Sequence, residues 1–213
     1  MENKDKLIIN IGRQVGSGGR IIAKLLADEF ECQFYDKEIL NLAAKESGFS
    51  EKFFEQNDEH KGFFQTLFHT RAPLLSDNNF YDNKFSQESL FQFQSEAIMK
   101  AADEGSCVFV GRAADYVLRT YPSVVNIFIT ANMKDRIKLV CQRLGCDEKD
   151  AKKLIIDKES ERASYYNYYT GKKWGHSCSY DLCINSSYMG LEKTAKFIGD
   201  YIRVRFGYNS KER

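Results

Sequence analysis

The most constraining stretch of this chain is its glycine-dense turn. Ile8-Ile9-Asn10-Ile11 leads into Gly12-Arg13-Gln14-Val15-Gly16-Ser17-Gly18-Gly19-Arg20, and Ile21-Ile22-Ala23-Lys24-Leu25-Leu26 follows at helical spacing. An apolar run, a tight loop and an amphipathic segment predict strand, turn and helix. Glycines at 16, 18 and 19 allow successive backbone N–H groups to point into one concavity. The helix behind adds the positive end of its dipole, and the combination makes a seat for phosphate.

The loop follows the phosphate-binding pattern G-x-x-x-x-G-K-[S/T] only in part. With Gly18 as the second glycine, Gly19 stands where the lysine belongs and Arg20 where the Ser or Thr belongs. Arg13 takes the first glycine's place. The backbone donors of Gly16, Ser17, Gly18 and Gly19 remain, and the side chain that reaches the β- and γ-phosphates is gone. The structural alternative is a turn that merely closes a strand against a helix.

The rest of the chain repeats the alternation. Strands are predicted over 6–11, 32–35, 107–110, 124–129 and 180–185. Helices are predicted over 18–30, 37–47, 86–104, 133–144, 147–169 and 191–206. Leu90, Phe93, Ala97 and Ala101 define the apolar face expected for 86–104. Five short apolar strands between helices predict an α/β fold, a parallel sheet with helices on both faces. Asp36, at the end of the second strand, is a candidate contact in the ligand crevice or a cap for the helix after it. Arg112, just past the buried Cys107-Val108-Phe109-Val110, is placed to fork onto a phosphate, or else to pair with Asp115.

Two segments depart from the alternation. Phenylalanines crowd 49–95 around Pro73, which reads as an inserted subdomain of short helices and loops whose rings form its own core. The segment 145–178 carries Glu159, Arg162, Tyr165, Tyr166, Tyr168 and Tyr169, then Gly171-Lys172-Lys173-Trp174-Gly175. It reads either as a lid over charged substrate or as a surface helix whose tyrosines pack on a neighbour. His176 is isolated and makes no metal site.

Composition narrows the partners. The net charge of +1 over 213 residues gives no electrostatic case for nucleic acid or an acidic membrane. The charged opening 1–6 is unlike a secretory leader, and no segment approaches a membrane span. Six cysteines without a C-x-x-C pair, with Cys107 and Cys183 in apolar runs, fit a reduced, cytoplasmic setting. The phenylalanine-rich insertion leaves a homodimer open.

Taken together, five motifs resemble the cytidylate kinase-like branch of the P-loop nucleoside monophosphate kinases. They are the opening 12–20, Phe34-Tyr35-Asp36-Lys37-Glu38, and Val110-Gly111-Arg112-Ala113-Ala114-Asp115. The others are Arg162-Ala163-Ser164-Tyr165-Tyr166 with 170–175, and Tyr180-Asp181-Leu182-Cys183-Ile184-Asn185. The resemblance covers most of the chain. It implies one P-loop kinase domain over 1–213, with a nucleoside monophosphate-binding insertion at 49–95 and a lid at 145–178. It implies phosphoryl transfer from ATP, with Mg2+ held through water and phosphate rather than by protein ligands, to an acceptor such as CMP or dCMP.

Carried onto this sequence, the resemblance places the donor phosphates at 16–19 and Asp36 near the acceptor nucleoside. Arg112 falls on the acceptor phosphate, and Arg162 is a lid arginine with Glu159 before it. Arg13 or Arg20 then substitutes for the missing lysine, and Arg136 and Arg143 join Arg162 from the lid side. The sequence departs from the family at Gly19, at Ala113 (an aspartate in the family's G-R-D) and in 36–42, which lacks the family's arginine. Those departures admit two other readings: a nucleotide- or phosphate-binding module without catalysis, and a kinase for another small acceptor.

Overall fold

The computed structural model describes residues 6–36 and 80–207. The predicted helix 37–47 and most of the insertion 49–95 lie outside them. The described strands are β1 (Ile8–Arg13), β2 (Gln33–Tyr35), β3 (Cys107–Val110), β4 (Val124–Thr130) and β5 (Leu182–Asn185). They form one parallel sheet in the order β2-β3-β1-β4-β5. The helices are α1 (Gly19–Glu29), α2 (Phe80–Glu104), α3 (Ala114–Val117), α4 (Met133–Leu144), α5 (Glu148–Thr170) and α6 (Gly190–Phe206).

A parallel sheet needs both faces covered, and its central strands are accordingly apolar throughout. One face, with Ile9, Ile11, Val108, Val110, Ile127 and Ile129, packs against Ile22 and Leu26 of α1 and Ile198 and Ile202 of α6. Each such aliphatic side chain contributes roughly 1.5–3 kcal/mol on burial. The opposite face, with Ile8, Cys107 and Phe109, takes Ile98, Ala101 and Ala102 of α2 and Leu118. A third cluster, Val15, Val140, Ala151 and Ile155, joins the glycine loop to α4 and α5.

The structure corrects several boundaries. β1 runs on through Gly12 and Arg13, because these pair with Phe128 and Ile129 of the longer β4. α2 begins at Phe80, so it reaches into the segment taken as an insertion. Its buried row is Gln94, Ile98, Ala101 and Ala102, so the predicted face holds at Ala101, with Ala97 partly buried beside it, and turns away from Leu90 and Phe93. The row turns because Phe91 stacks on Tyr169 of α5 at 4.0 Å while Ile98 faces the sheet. Cys183, predicted in an apolar run, is exposed, because β5 is an edge strand. No helix among the described residues is long and apolar enough to cross a membrane.

Candidate active site

The glycine loop joins the end of β1, a central strand, to α1. Gly16 and Gly18 adopt φ of +79° and +75°, a conformation that side chains resist. Gly19 has a different reason. A Cβ there would sit 2.5 Å from Arg13 Cβ and 2.9 Å from Arg13 Cγ. The Arg13 side chain therefore crosses the loop at the position where the motif's lysine would begin. Its guanidinium ends beside Gly111, where an added Cβ would collide with Arg13 Nη1. The amides of Gly16, Gly18 and Gly19 donate to no other described residue. They stand at the open N-terminus of α1, where unpaired N–H groups and the dipole favour an anion.

The loop is tied down from several sides. Gln14 N–H donates to the Ile129 carbonyl at 2.9 Å, and Ser186 Oγ donates to the Ser17 carbonyl at 2.8 Å. Val15 N–H donates to Glu159 Oε1 at 2.7 Å, and Arg136 Nε donates to the Val15 carbonyl at 2.7 Å. Arg136 Nη2 faces Glu159 Oε2 at 3.6 Å. Ser17 is turned inward, contrary to its expected place among the phosphate donors: its Oγ donates to the Gln14 carbonyl at 2.9 Å and its N–H to the same carbonyl at 3.3 Å, because the turn closes on itself there.

Three guanidiniums gather beside the loop. Arg162 Nη1 donates to the Arg13 carbonyl at 3.0 Å, and Arg112 lies 5.2 Å from the Tyr165 ring. Burial, with the nearby Arg162 and Arg112 charges, pushes the Arg13 pKa well down from its ordinary value. Burial lowers that of Arg162, Glu159 opposes the fall, and Arg112, Arg143 and Arg136 add to it. An arginine does not give up its proton at ordinary pH, so this stress is a demand for negative charge. Glu159 is the carboxylate within the group. Asp36, the other acid near Arg13, is engaged elsewhere: Arg20 Nε donates to its Oδ2 at 2.7 Å.

The structure thus brings Arg13, Arg112, Arg162 and Glu159 together at the loop and sets Arg20 against a buried Asp36. Arg136, expected from the lid side, is 5% exposed and braces Val15. Arg143 ends α4 as part of its last turn. Arg112 does not pair with Asp115, whose Oδ2 instead accepts from Tyr166 Oη at 2.7 Å. Residues 111–113 are all left-handed, with φ of +78°, +58° and +52°. For Arg112 and Ala113 that strain costs on the order of 1 kcal/mol each or more, and such strain concentrates at working sites. The tyrosines of α5 pack on the neighbouring helix, as one of the two readings had it: Tyr165 Oη donates to Gln94 and Tyr168 Oη to Glu88.

Sequence reasoning missed a polar cluster behind Gly12 and Gly111. Its signal was the pair of asparagines inside apolar strands, Asn10 and Asn126, which lie in register and hydrogen-bond at 2.9 Å. Next to them are Asp115, Tyr166, Trp174 and Tyr180. Burial raises the Asp115 pKa, while the Tyr166 hydroxyl and Lys172 hold it back. The folded state therefore binds this proton more tightly than the unfolded chain. The resulting stability is complete below the ordinary value of 3.8 and is lost as pH rises through the raised one. Asp115→Asn keeps an oxygen for Tyr166 and removes the titration. Its melting temperature should gain on wild type as pH climbs from about 4 towards neutrality. Parallel melting curves across that range would refute this.

Comparison with known proteins agrees with this geometry. A model of the cytidylate kinase-like family matches residues 8–188. A cytidylate kinase from Pyrococcus horikoshii is 26% identical over 186 residues, 86% of this chain and 82% of that one. An uncharacterized protein from Eubacterium ventriosum superposes with a TM-score of 0.71 at 28% identity, over 92% of this chain and 98% of the other. Shikimate kinase from Bacteroides thetaiotaomicron shares the fold, with a TM-score of 0.51 at 11% identity over 92% of this chain and 98% of that one. With most of its length matched and a P-loop kinase fold around the glycine loop, the chain belongs to the cytidylate kinase-like family.

Proposed function

We propose that this chain is a phosphotransferase that moves the γ-phosphoryl group of ATP to a nucleoside monophosphate, CMP or dCMP first. One observation carries the reading. The amides of Gly16, Gly18 and Gly19, which donate to no other described residue, stand at the start of α1, close to Arg13, Arg112 and Arg162, with Glu159 as the acid among them.

Phosphoryl transfer asks a protein for position and for positive charge around the moving group. The acceptor phosphate is itself the nucleophile, so no side chain need attack. In this reading the loop amides hold the donor phosphates. Arg13 supplies the charge that the motif's lysine normally brings, reaching the same place from β1. Arg112, set by the left-handed turn at 111–113, grips the acceptor phosphate. Arg162, with Arg143 near it, closes from a lid at 145–178, and an insertion at 49–95 covers the acceptor. Arg20, held to Asp36, orients that acid beside the acceptor and is not the lysine's substitute.

For magnesium, no group of three or more potential ligands is assembled among the described residues. Ser17 Oγ is engaged with Gln14, and Arg20 replaces the usual hydroxyl. These residues fit an ion that arrives on the nucleotide, held by phosphate oxygens and water. When bound, it neutralises and bridges the donor phosphates. Six free cysteines fit a reducing cytoplasm.

The test is ADP formation from ATP and Mg2+ with a panel of nucleoside monophosphates. CMP or dCMP should turn over fastest, and Arg20→Ala should lose less than about tenfold in kcat/KM, roughly 1.4 kcal/mol. Gly19 and Ala113 favour a second reading, a binding module without catalysis. It predicts a raised melting temperature with nucleotide and no ADP. Turnover only with another phosphorylated or hydroxylated metabolite would mean a different acceptor.

A further inference from the structure

We infer that the polar cavity behind Gly12 and Gly111 is a reading pocket that takes one uncharged hydrogen-bonding edge of the acceptor's base. The inference rests on the phosphotransferase reading, because it takes the acceptor phosphate to lie at the arginines. Asn10, Gly111, Asp115, Tyr166, Trp174 and Tyr180 are among the lining residues.

Three atoms there have no hydrogen-bond partner among the described residues: Asn10 Oδ1, Trp174 Nε1 and Tyr180 Oη. Asn10 is 3% exposed, and its Oδ1 is buried without a partner while its Nδ2 donates to Asn126. Trp174 Nε1 is likewise buried without a partner, although the Trp174 backbone N–H donates to Asn167 Oδ1. A buried acceptor or donor left unpaired costs about 1–3 kcal/mol, so native proteins rarely keep one without a use. Asn10 Oδ1 can only accept and Trp174 Nε1 can only donate. Tyr180 Oη can do either, so their joint complement is a neutral group that carries both a donor and an acceptor. The amide-like edge of a nucleobase has that pattern, whereas a phosphate has no donor and an ammonium no acceptor.

The surroundings agree with a base. Three lining residues are aromatic, Tyr166, Trp174 and Tyr180. Trp174 lies 5.3 Å from the Tyr166 ring, and Phe128 behind the wall lies 5.0 Å from Trp174 and 4.8 Å from Tyr180. Flat π-faces of this kind suit a planar ring. Trp174 and Tyr180 are only half-buried, so the walls reach solvent. The cavity as a whole is about the size of one water molecule, so only a single edge could enter it and the ring would stay outside. The Arg13 guanidinium abuts Gly111, which lines the same cavity, so base edge and phosphate would lie on either side of one glycine.

Trp174 is the chain's single tryptophan, so its emission reports on this pocket without any turnover. The full chain is titrated with cytidine, uridine, adenosine, CMP and, as a ligand without a base, ribose 5-phosphate. ADP formation and melting temperature are measured alongside. The expected result is a saturable emission change with at least one base-bearing ligand and none with ribose 5-phosphate. Trp174→Phe, which keeps the wall and removes Nε1, should raise the acceptor KM about fivefold or more and lower kcat by a smaller factor. Turnover with no emission change, or ribose 5-phosphate acting like the nucleosides, would overturn the pocket and leave it as the seat of a structural water. A saturable base-dependent change without ADP would overturn the phosphotransferase reading and keep the pocket.

Discussion

Arg13→Ala is expected to lower kcat/KM about 10²–10³-fold, the range found when one preorganised donor is removed from a developing anion. The expectation follows from where the side chain lies. It crosses Gly19, ends beside Gly111, and makes no hydrogen bond to another described residue. Its half-buried charge lies beside two further guanidiniums. Restoring the motif by Gly19→Lys should not revive a lysine mechanism. The new Cβ would sit 2.5 Å from Arg13 Cβ, a contact that real side chains do not make. Overpacking of this kind costs about 1–3 kcal/mol, or about 2–12 °C in melting temperature for a chain of this size. Arg13→Gly combined with Gly19→Lys removes the obstruction. The pair should melt higher than Gly19→Lys alone and turn over faster than either single variant. If Gly19→Lys alone were as stable as wild type and more active, Arg13 would not be the lysine's counterpart.

Much of this architecture is written in local pattern. Buried strands announce themselves as Ile8-Ile9, Cys107-Val108-Phe109-Val110 and Val124–Thr130, and glycines mark where the loop needs positive φ. The position of Arg112 just past a buried strand is equally legible. What local pattern does not carry is pairing across sequence distance. Arg20 meets Asp36 only because α1 returns alongside β2. Arg136 and Glu159 meet Val15 across more than a hundred residues, and no periodicity encodes that. The missing lysine shows the same division. Sequence shows that Gly19 is there, whereas only the fold shows that the Arg13 side chain fills the space a larger residue would need.

Glu159→Ala should produce the largest loss of stability among these variants. Its carboxylate accepts from Val15 N–H and faces both Arg136 Nη2, at 3.6 Å, and Arg162 Nη1, at 4.0 Å. Removing it strands a loop amide and leaves the buried Arg136 with no acid against it; Arg136 Nη2 already lacks a hydrogen-bond partner. Breaking a fully buried pair costs about 3–5 kcal/mol. The Glu159 side chain is 20% exposed and the Arg136 contact is long, so about 2–4 kcal/mol is expected, or about 4–16 °C in melting temperature. Glu159→Gln keeps an oxygen for Val15 and should lose less. Urea unfolding with and without ATP separates the two contributions. Without ligand the full deficit appears. With saturating ATP it should shrink, because bound phosphate supplies the negative charge that the arginines have lost. A deficit unchanged by ATP would mean that Glu159 serves the scaffold alone. A change below about 2 °C would mean that Gln14 and Ser186 suffice to hold the loop.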